Sequence, residues 1–134
     1  MAAPIFDSKL AGLRQILDLR MQQHGLVSAN LANANTPQFQ AKRVDFKVAL
    51  DQVMAGGSAA DLRRTSGRHF AGLDNGPAPV ETIEAPAWAE DGNSVNPDEE
   101  MFVLMENNLL FNATVEAMNR KLALLEYAAS DGGK

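Results

Sequence analysis

The pattern that most restricts the fold lies in the last quarter of the chain. Asn96 stands as an N-cap, Pro97 occupies the first helical position, and Glu99 follows three residues after the cap. The acidic run Asp98-Glu99-Glu100 suits the positive end of a helix dipole. Downstream, Met101, Leu104, Asn108, Phe111, Val115, Met118, Leu122, Leu125 and Ala129 alternate in steps of three and four without a break. That spacing predicts one helix over 96–130 carrying a heptad seam of roughly four repeats. Asn108 falls on an a-type position of the seam. A buried amide there selects register and partner number, whereas a rim amide is simply hydrated, and the sequence leaves both open. Ser130-Asp131-Gly132-Gly133 marks the fraying end.

A second long pattern opens the chain. With Asp7 or Ser8 as N-cap, apolar residues recur at Leu10, Leu13, Leu17, Met21, Val27, Leu31 and Ala34, with one wider step around His24. Pro37 disfavours helical geometry at Thr36, so the predicted helix covers 8–35 and spans about 40 Å. Its last turns, Ser28-Ala29-Asn30-Leu31-Ala32-Asn33-Ala34-Asn35-Thr36-Pro37, carry small residues and asparagines where an exposed helix normally carries charge. Asparagine is a mediocre helix former that competes for backbone hydrogen bonds, so Asn30, Asn33 and Asn35 call for a reason. Ala, Ser and Asn let another backbone approach closely and offer it donors and acceptors. This composition suits a packed surface, and His24 is expected on the apolar side of the same helix.

The middle segment, 36–95, differs in character. Asp45 is a candidate N-cap for a short helix over 45–55, with Phe46, Leu50 and Val53 at helical spacing, although Val44, Phe46 and Val48 also alternate as in a strand. From Gly56 to Asn93 the chain holds six of its ten glycines and three of its six prolines, so this stretch cannot bury enough surface to order itself alone. Val80-Glu81-Thr82-Ile83-Glu84 is the candidate strand or extended arm within it. The expectation is one domain over 1–134. It is mainly α, with long terminal helices packed as an antiparallel coiled coil, a short helix, and an irregular Gly/Pro-rich middle with a short β element.

Chemistry of the catalytic kind finds little support. The chain has no cysteine and two histidines, His24 and His69, and neither sits in a cluster of metal ligands. Asp91-Gly92-Asn93-Ser94-Val95-Asn96 superficially resembles a calcium loop, but the sixth position lacks glycine and Phe102 occupies the twelfth, where a bidentate glutamate is required. Asn112-Ala113-Thr114 has the form of a glycosylation acceptor, yet lies within a predicted helix. A net charge of -5 argues against a general nucleic-acid surface, and Lys42-Arg43 and Arg63-Arg64 are too small to reverse it. The first residues lack a charged start and a continuous apolar core, so no cleavable secretory signal is expected. The expected protein is no enzyme, with no cofactor, metal, nucleic acid or small-molecule substrate.

The run from Ser28 to Pro37 resembles Ala-Asn-Asn-Ile-Ala-Asn-Ala-Asn-Thr-Pro, the signature near the N-terminus of the flagellar axial proteins of the rod, hook and hook-associated kinds. Ala41-Lys42-Arg43-Val44-Asp45-Phe46-Lys47 is similar to the Lys-Ala-x-Asp-Phe stretch that follows Thr-Pro in the proximal rod proteins. Thr65 with His69, Asp91 to Asn96, and Glu106-Asn107-Asn108 resemble further pieces of that family, bracketing residues 10–128. Gln38 stands where the family usually has glycine and Phe39 where it has tyrosine, a departure that bears on the turn after Pro37.

The resemblance implies a structural subunit of the proximal rod of the bacterial flagellar basal body. It also implies passage unfolded through the flagellar type III export apparatus, and contacts with other rod subunits, with further copies and with membrane-ring or rod-junction proteins. On this reading the family motif, Ser28, Asn30, Leu31, Asn33, Asn35, Thr36 and Pro37, serves subunit packing. The seam Met101, Leu104, Asn108, Phe111, Val115, Met118, Leu122 and Leu125 joins the helices, and Asn30, Asn33, Asn35 and Asn108 bond to neighbouring subunits or to the partner helix. The alternative is a cytoplasmic helical adaptor or chaperone that binds a partner's amphipathic helix through the same seams. That reading leaves the Asn-Thr-Pro signature unexplained.

Overall fold

A computed structural model describes residues 4–54 and 78–130, with side chains described over 9–51 and 78–130. Thr65, His69, Arg63 and Arg64, and the fraying end at 131–133, lie outside the described residues. The elements in chain order are α1 (Pro4–Ala32), β1 (Lys42–Val44), α2 (Phe46–Met54), β2 (Val80–Thr82) and α3 (Pro97–Ala129).

The chain is mainly helical, and α1 and α3 pack side by side along their lengths. Their direction is read from two bonds. Asn30 meets Glu100 near one end, and Arg20 meets Asn107 farther along, so the helices run antiparallel. At 1.5 Å per residue, α3 spans about 50 Å. α3 begins as its sequence predicts, with the Asn96 side chain accepting from the Asp98 N–H at 3.2 Å and Pro97 opening the first turn. α1 begins at Pro4 rather than at 8, with proline in the first turn where its missing N–H costs nothing.

α1 also stops three residues short of 35. Past Ala32 the bonds tighten to the i to i+3 kind: Asn33 N–H reaches Asn30 O, Ala34 N–H reaches Leu31 O, and Thr36 N–H reaches Asn33 O. Asn33 contributes through its side chain, whose amide donates to Ala29 O at 2.8 Å.

Among the described residues of the middle segment, β1 and α2 pack on α1. β1 and β2 pair antiparallel, with Lys42 opposite Thr82, Arg43 opposite Glu81 and Val44 opposite Val80. The alternation from Val44 to Val48 therefore ends in one strand residue and a helix. α2 is capped by Asp45, whose carboxylate accepts from Val48 N–H at 3.0 Å. Among the described residues the apolar core is small: Val44, Ala49 and Ala78, with Leu19, Leu26 and Phe46 packed on them, and Val27 and Ala41 are buried as well.

The seam of α3 is rotated from its predicted position. Leu104, Phe111, Met118 and Leu125 are half-buried, and so is Val115, but Met101, Asn108 and Leu122 are exposed. The residues one step earlier, Glu100, Asn107, Thr114 and Lys121, take the inner layer, with Glu100 and Asn107 fully buried. The cause is polar. Glu100 and Asn107 each have partners on α1 that hold them inside, and a helix turned to bury Met101 and Asn108 would break those bonds. His24, expected on the apolar side, is exposed.

Candidate functional site

The motif residues of α1 gather at the end of the helix pair, and Asn30 is their centre. Its side chain is buried, at 1% exposure. Its amide nitrogen donates to Lys42 O at 2.9 Å, and its oxygen accepts from Lys42 N–H at 3.0 Å. The same amide nitrogen donates to Glu100 Oε2 at 3.0 Å. Two further amides of α1 work in the same manner. Gln23 accepts from Val44 N–H at 2.7 Å, and Gln22 both accepts from Ala78 N–H and donates to Ala78 O. Lys42 and Val44 turn these groups away from β2, so α1 side chains satisfy the edge that a third strand would otherwise cover.

Glu100 is equally buried and is held from two sides, by Asn30 and by Arg43 Nη2 at 2.8 Å. A buried carboxylate is tolerated only when paired and hydrogen-bonded. Asp98 and Glu99 remain exposed as residues of the first turn, although Glu99 lies 4.0 Å from Arg43. The acidic trio is therefore not explained by the helix dipole alone. Sequence reasoning passed over Glu100 because its neighbours share its charge.

A second clamp closes the turn after α1. The Asn93 amide nitrogen lies 3.1, 2.8 and 3.0 Å from the carbonyl oxygens of Asn33, Ala34 and Thr36, in the turn that follows α1. Asn93 is itself aimed by its own loop: its N–H donates to Asp91 Oδ1 and its oxygen accepts from Val95 N–H. Ser94 Oγ accepts from Ala41 N–H at 2.7 Å, and Gln38 N–H donates to Asp91 O at 2.8 Å. The segment that superficially resembled a calcium loop is thus a cap for α1. Among the described residues no group of acidic or histidine side chains is placed to hold a metal ion.

Gln38 adopts φ 61, the left-handed region, and Gly92 beside it φ 68. The position at which the resembled family usually carries glycine therefore has the conformation glycine favours.

The remaining motif residues separate. Leu31 and Asn33 are half-buried, and Asn33 accepts from Thr36 Oγ1 at 3.2 Å, so its polar group is used locally. Ser28, Asn35, Thr36 and Pro37 are exposed. Asn30 bonds inside its own chain, to β1 and α3, rather than to a neighbouring molecule as one of the two sequence readings had it. The buried amide of the α3 seam is Asn107, not Asn108. Its nitrogen donates to Arg20 O at 2.9 Å, and Arg20 Nη1 donates to its oxygen at 3.4 Å. The Arg20 guanidinium also lies 4.5 Å over the Phe46 ring. Burial pulls its pKa down, and Glu106 opposes that shift.

The face of α3 turned away from α1 carries an apolar patch, flanked by the exposed Glu106. Phe102, Met105 and Leu109 recur at three and four residues, and each is about two-thirds exposed, at 68%, 67% and 69%. Leu124 and Tyr127 continue exposed apolar surface toward the C-terminal end. No described helix is long and apolar enough to cross a membrane.

No family model matches the chain. Among curated proteins it is 31% identical over 124 residues to the flagellar basal body rod protein FlgB of Yersinia ruckeri, covering 87% of this chain and 89% of the relative. It is 31% identical over 124 residues to FlgB of Escherichia coli K12, covering 87% and 88%. FlgB of Bacillus subtilis is 29% identical over 130 residues, covering 96% of this chain and 98% of the relative. Together with the motif junction, this similarity along nearly the full length of each relative shows that the chain belongs to the FlgB family of flagellar basal body rod proteins.

Proposed function

We propose that the chain is a structural subunit of the proximal rod of the bacterial flagellar basal body, where it assembles through its long helices and transmits torque. On this reading it has no catalytic task and needs no cofactor. It passes unfolded through the flagellar type III export apparatus and takes its place in the periplasmic rod. There it contacts further copies, other rod subunits and the membrane-ring or rod-junction proteins.

The observation that carries this reading is the outer face of α3. A lone subunit leaves Phe102, Met105 and Leu109 two-thirds exposed on one stripe, and an exposed apolar stripe of that kind marks an interaction surface. Among the described residues the core under the β pair is small, and lateral packing in an array would add burial to the α1–α3 pair. The internal clamps at Asn30, Glu100 and Asn93 support the same reading by fixing the angle at which the helix pair leaves the middle segment. A fixed angle is what a load-bearing array needs of each copy.

The test is deletion of the gene followed by complementation, scored by swimming in soft agar and by the presence of the chain in isolated basal bodies. Non-motile cells restored by the wild-type chain, with the chain in the basal body, are expected. Full motility of the deletion strain, or a chain that stays in the cytosol as a stable dimer, would overturn the proposal.

A further inference from the structure

We propose that the outer edge of β2 is a docking site for an extended segment of another protein, one that adds a third strand and carries Lys or Arg at alternate positions. The site lies on the middle segment, apart from the helix faces on which the rod-subunit reading rests.

The register of the β pair shows which backbone groups are left over. Asp45 N–H donates to Pro79 O at 2.9 Å and Ile83 N–H donates to Ala41 O at 2.8 Å, so the backbone groups at 79, 81 and 83 face β1. Backbone groups alternate in direction along a strand, hence the N–H and C=O of Val80 and Thr82 point away from β1. On β1 the corresponding outward groups are taken by α1, both groups of Lys42 by Asn30 and the Val44 N–H by Gln23. Among the described residues nothing bonds the outward groups of Val80 and Thr82, and Val80, Glu81 and Thr82 are all exposed. One edge of the pair is therefore closed by side chains and the other is open. An open edge is a template for another strand, because its row of donors and acceptors fits an extended backbone.

Charge selects the occupant. From Phe70 to Asn119 the chain has ten Asp and Glu and no Lys or Arg. Glu81 on β2 and Glu84 just beyond it are exposed, and neither forms an ion pair among the described residues. Arg43 stands opposite Glu81 but is engaged with Glu100 at 2.8 Å. A second copy of β2 would set acid against acid, and like charges facing each other across strands are unfavourable. The basic strand of a second copy is already covered on both edges, by its own β2 and its own α1. On its inner edge β2 pairs with Lys42-Arg43-Val44, and a segment of the same kind on the outer edge supplies the cations that Glu81 and Glu84 lack.

The test titrates the purified full chain into a fluorescein-labelled peptide of five Lys-Val repeats, read by fluorescence anisotropy. Glu-Val repeats of equal length reverse the charge, and Lys-Pro repeats keep it while removing the capacity to pair as a strand. Thr82→Pro deletes one outward N–H and leaves the bonds to β1 in place, as proline on an edge strand does. Glu81→Lys with Glu84→Lys inverts the charge of the edge, and circular dichroism checks that each variant is folded.

The Lys-Val peptide is expected to bind saturably and at least tenfold tighter than either control peptide, with at least a tenfold loss in Thr82→Pro and in the double lysine variant. No saturable binding, equal binding of Lys-Pro repeats, or binding that the double lysine variant leaves unchanged would overturn the proposal, as would unchanged binding by a folded Thr82→Pro. If Thr82→Pro fails to fold, the peptide ranking and the double lysine variant decide. The readout uses the purified chain, so absence of the chain from basal bodies would sink the rod reading alone, and loss of peptide binding this site alone.

Discussion

Asn30 and the peptide of Lys42 pair at both ends, N–H to Oδ1 at 3.0 Å and Nδ2 to O at 2.9 Å, so one side chain of α1 does for β1 what a neighbouring strand would do. The same amide reaches Glu100, and one residue thereby ties the three segments α1, β1 and α3.

Replacing Asn30 should therefore unfold more than a local contact. Asn30→Ala orphans both polar groups of Lys42 and removes a partner from a buried carboxylate, for a loss of about 3 kcal/mol. Asn30→Asp keeps the shape but sets a second carboxylate against Glu100, and should lose more than Asn30→Ala. Urea unfolding followed by circular dichroism checks the order, and equal midpoints for the two variants would count against this role.

The Glu100–Arg43 pair should behave as a coupled unit. Glu100→Leu or Arg43→Met alone strands a desolvated partner and is expected to cost about 3–5 kcal/mol. The double variant should recover much of that loss, because a buried pair replaced by apolar groups of similar volume is often tolerated. Additive losses in the four-way cycle would show the pair to be uncoupled.

Asn93→Ala should loosen the end of α1 while leaving its middle intact. Three carbonyl oxygens lose their shared donor, at a cost of about 2 kcal/mol. Hydrogen exchange at the Asn33, Ala34 and Thr36 amides should rise well before that at Val27. Uniform acceleration along α1 would point to global unfolding instead.

At Gln38 the left-handed backbone makes a ranking. Gln38→Gly relieves about 1 kcal/mol of side-chain crowding but gives back a similar amount as unfolded-state entropy, so its midpoint should stay close to the parent. Gln38→Val, β-branched at positive φ, should lose about 1–2 kcal/mol. A Val variant as stable as the Gly variant would mean the turn relaxes in solution.

The two faces of α3 should separate folding from assembly. Leu104→Asp places a charge on the half-buried side and is expected to lower the unfolding midpoint strongly. Leu109→Asp lies on the outer ridge and should shift stability by less than about 0.5 kcal/mol while abolishing swimming. Wild-type motility of Leu109→Asp would remove the ridge from assembly.

The elements that sequence alone determined are those whose signals are local. The start of α3 follows from the Asn96 cap and Pro97, the cap of α2 from Asp45, and the two long helices from steps of three and four, interrupted once at His24 in α1, because capping and periodicity act within one or two turns. The family resemblance was likewise readable, since the Asn-Thr-Pro run and its companions are contiguous. Tertiary structure decided which face of α3 turns inward. Apolar counting favoured Met101, Asn108 and Leu122, but the bonds of Glu100 and Asn107 to residues some seventy and eighty-seven positions away rotated the helix past them. It also decided what the asparagines do. Asn30 and Asn93 bond to carbonyls and N–H groups that are distant in sequence, and no local pattern can specify a partner that only the folded backbone brings within about 3 Å.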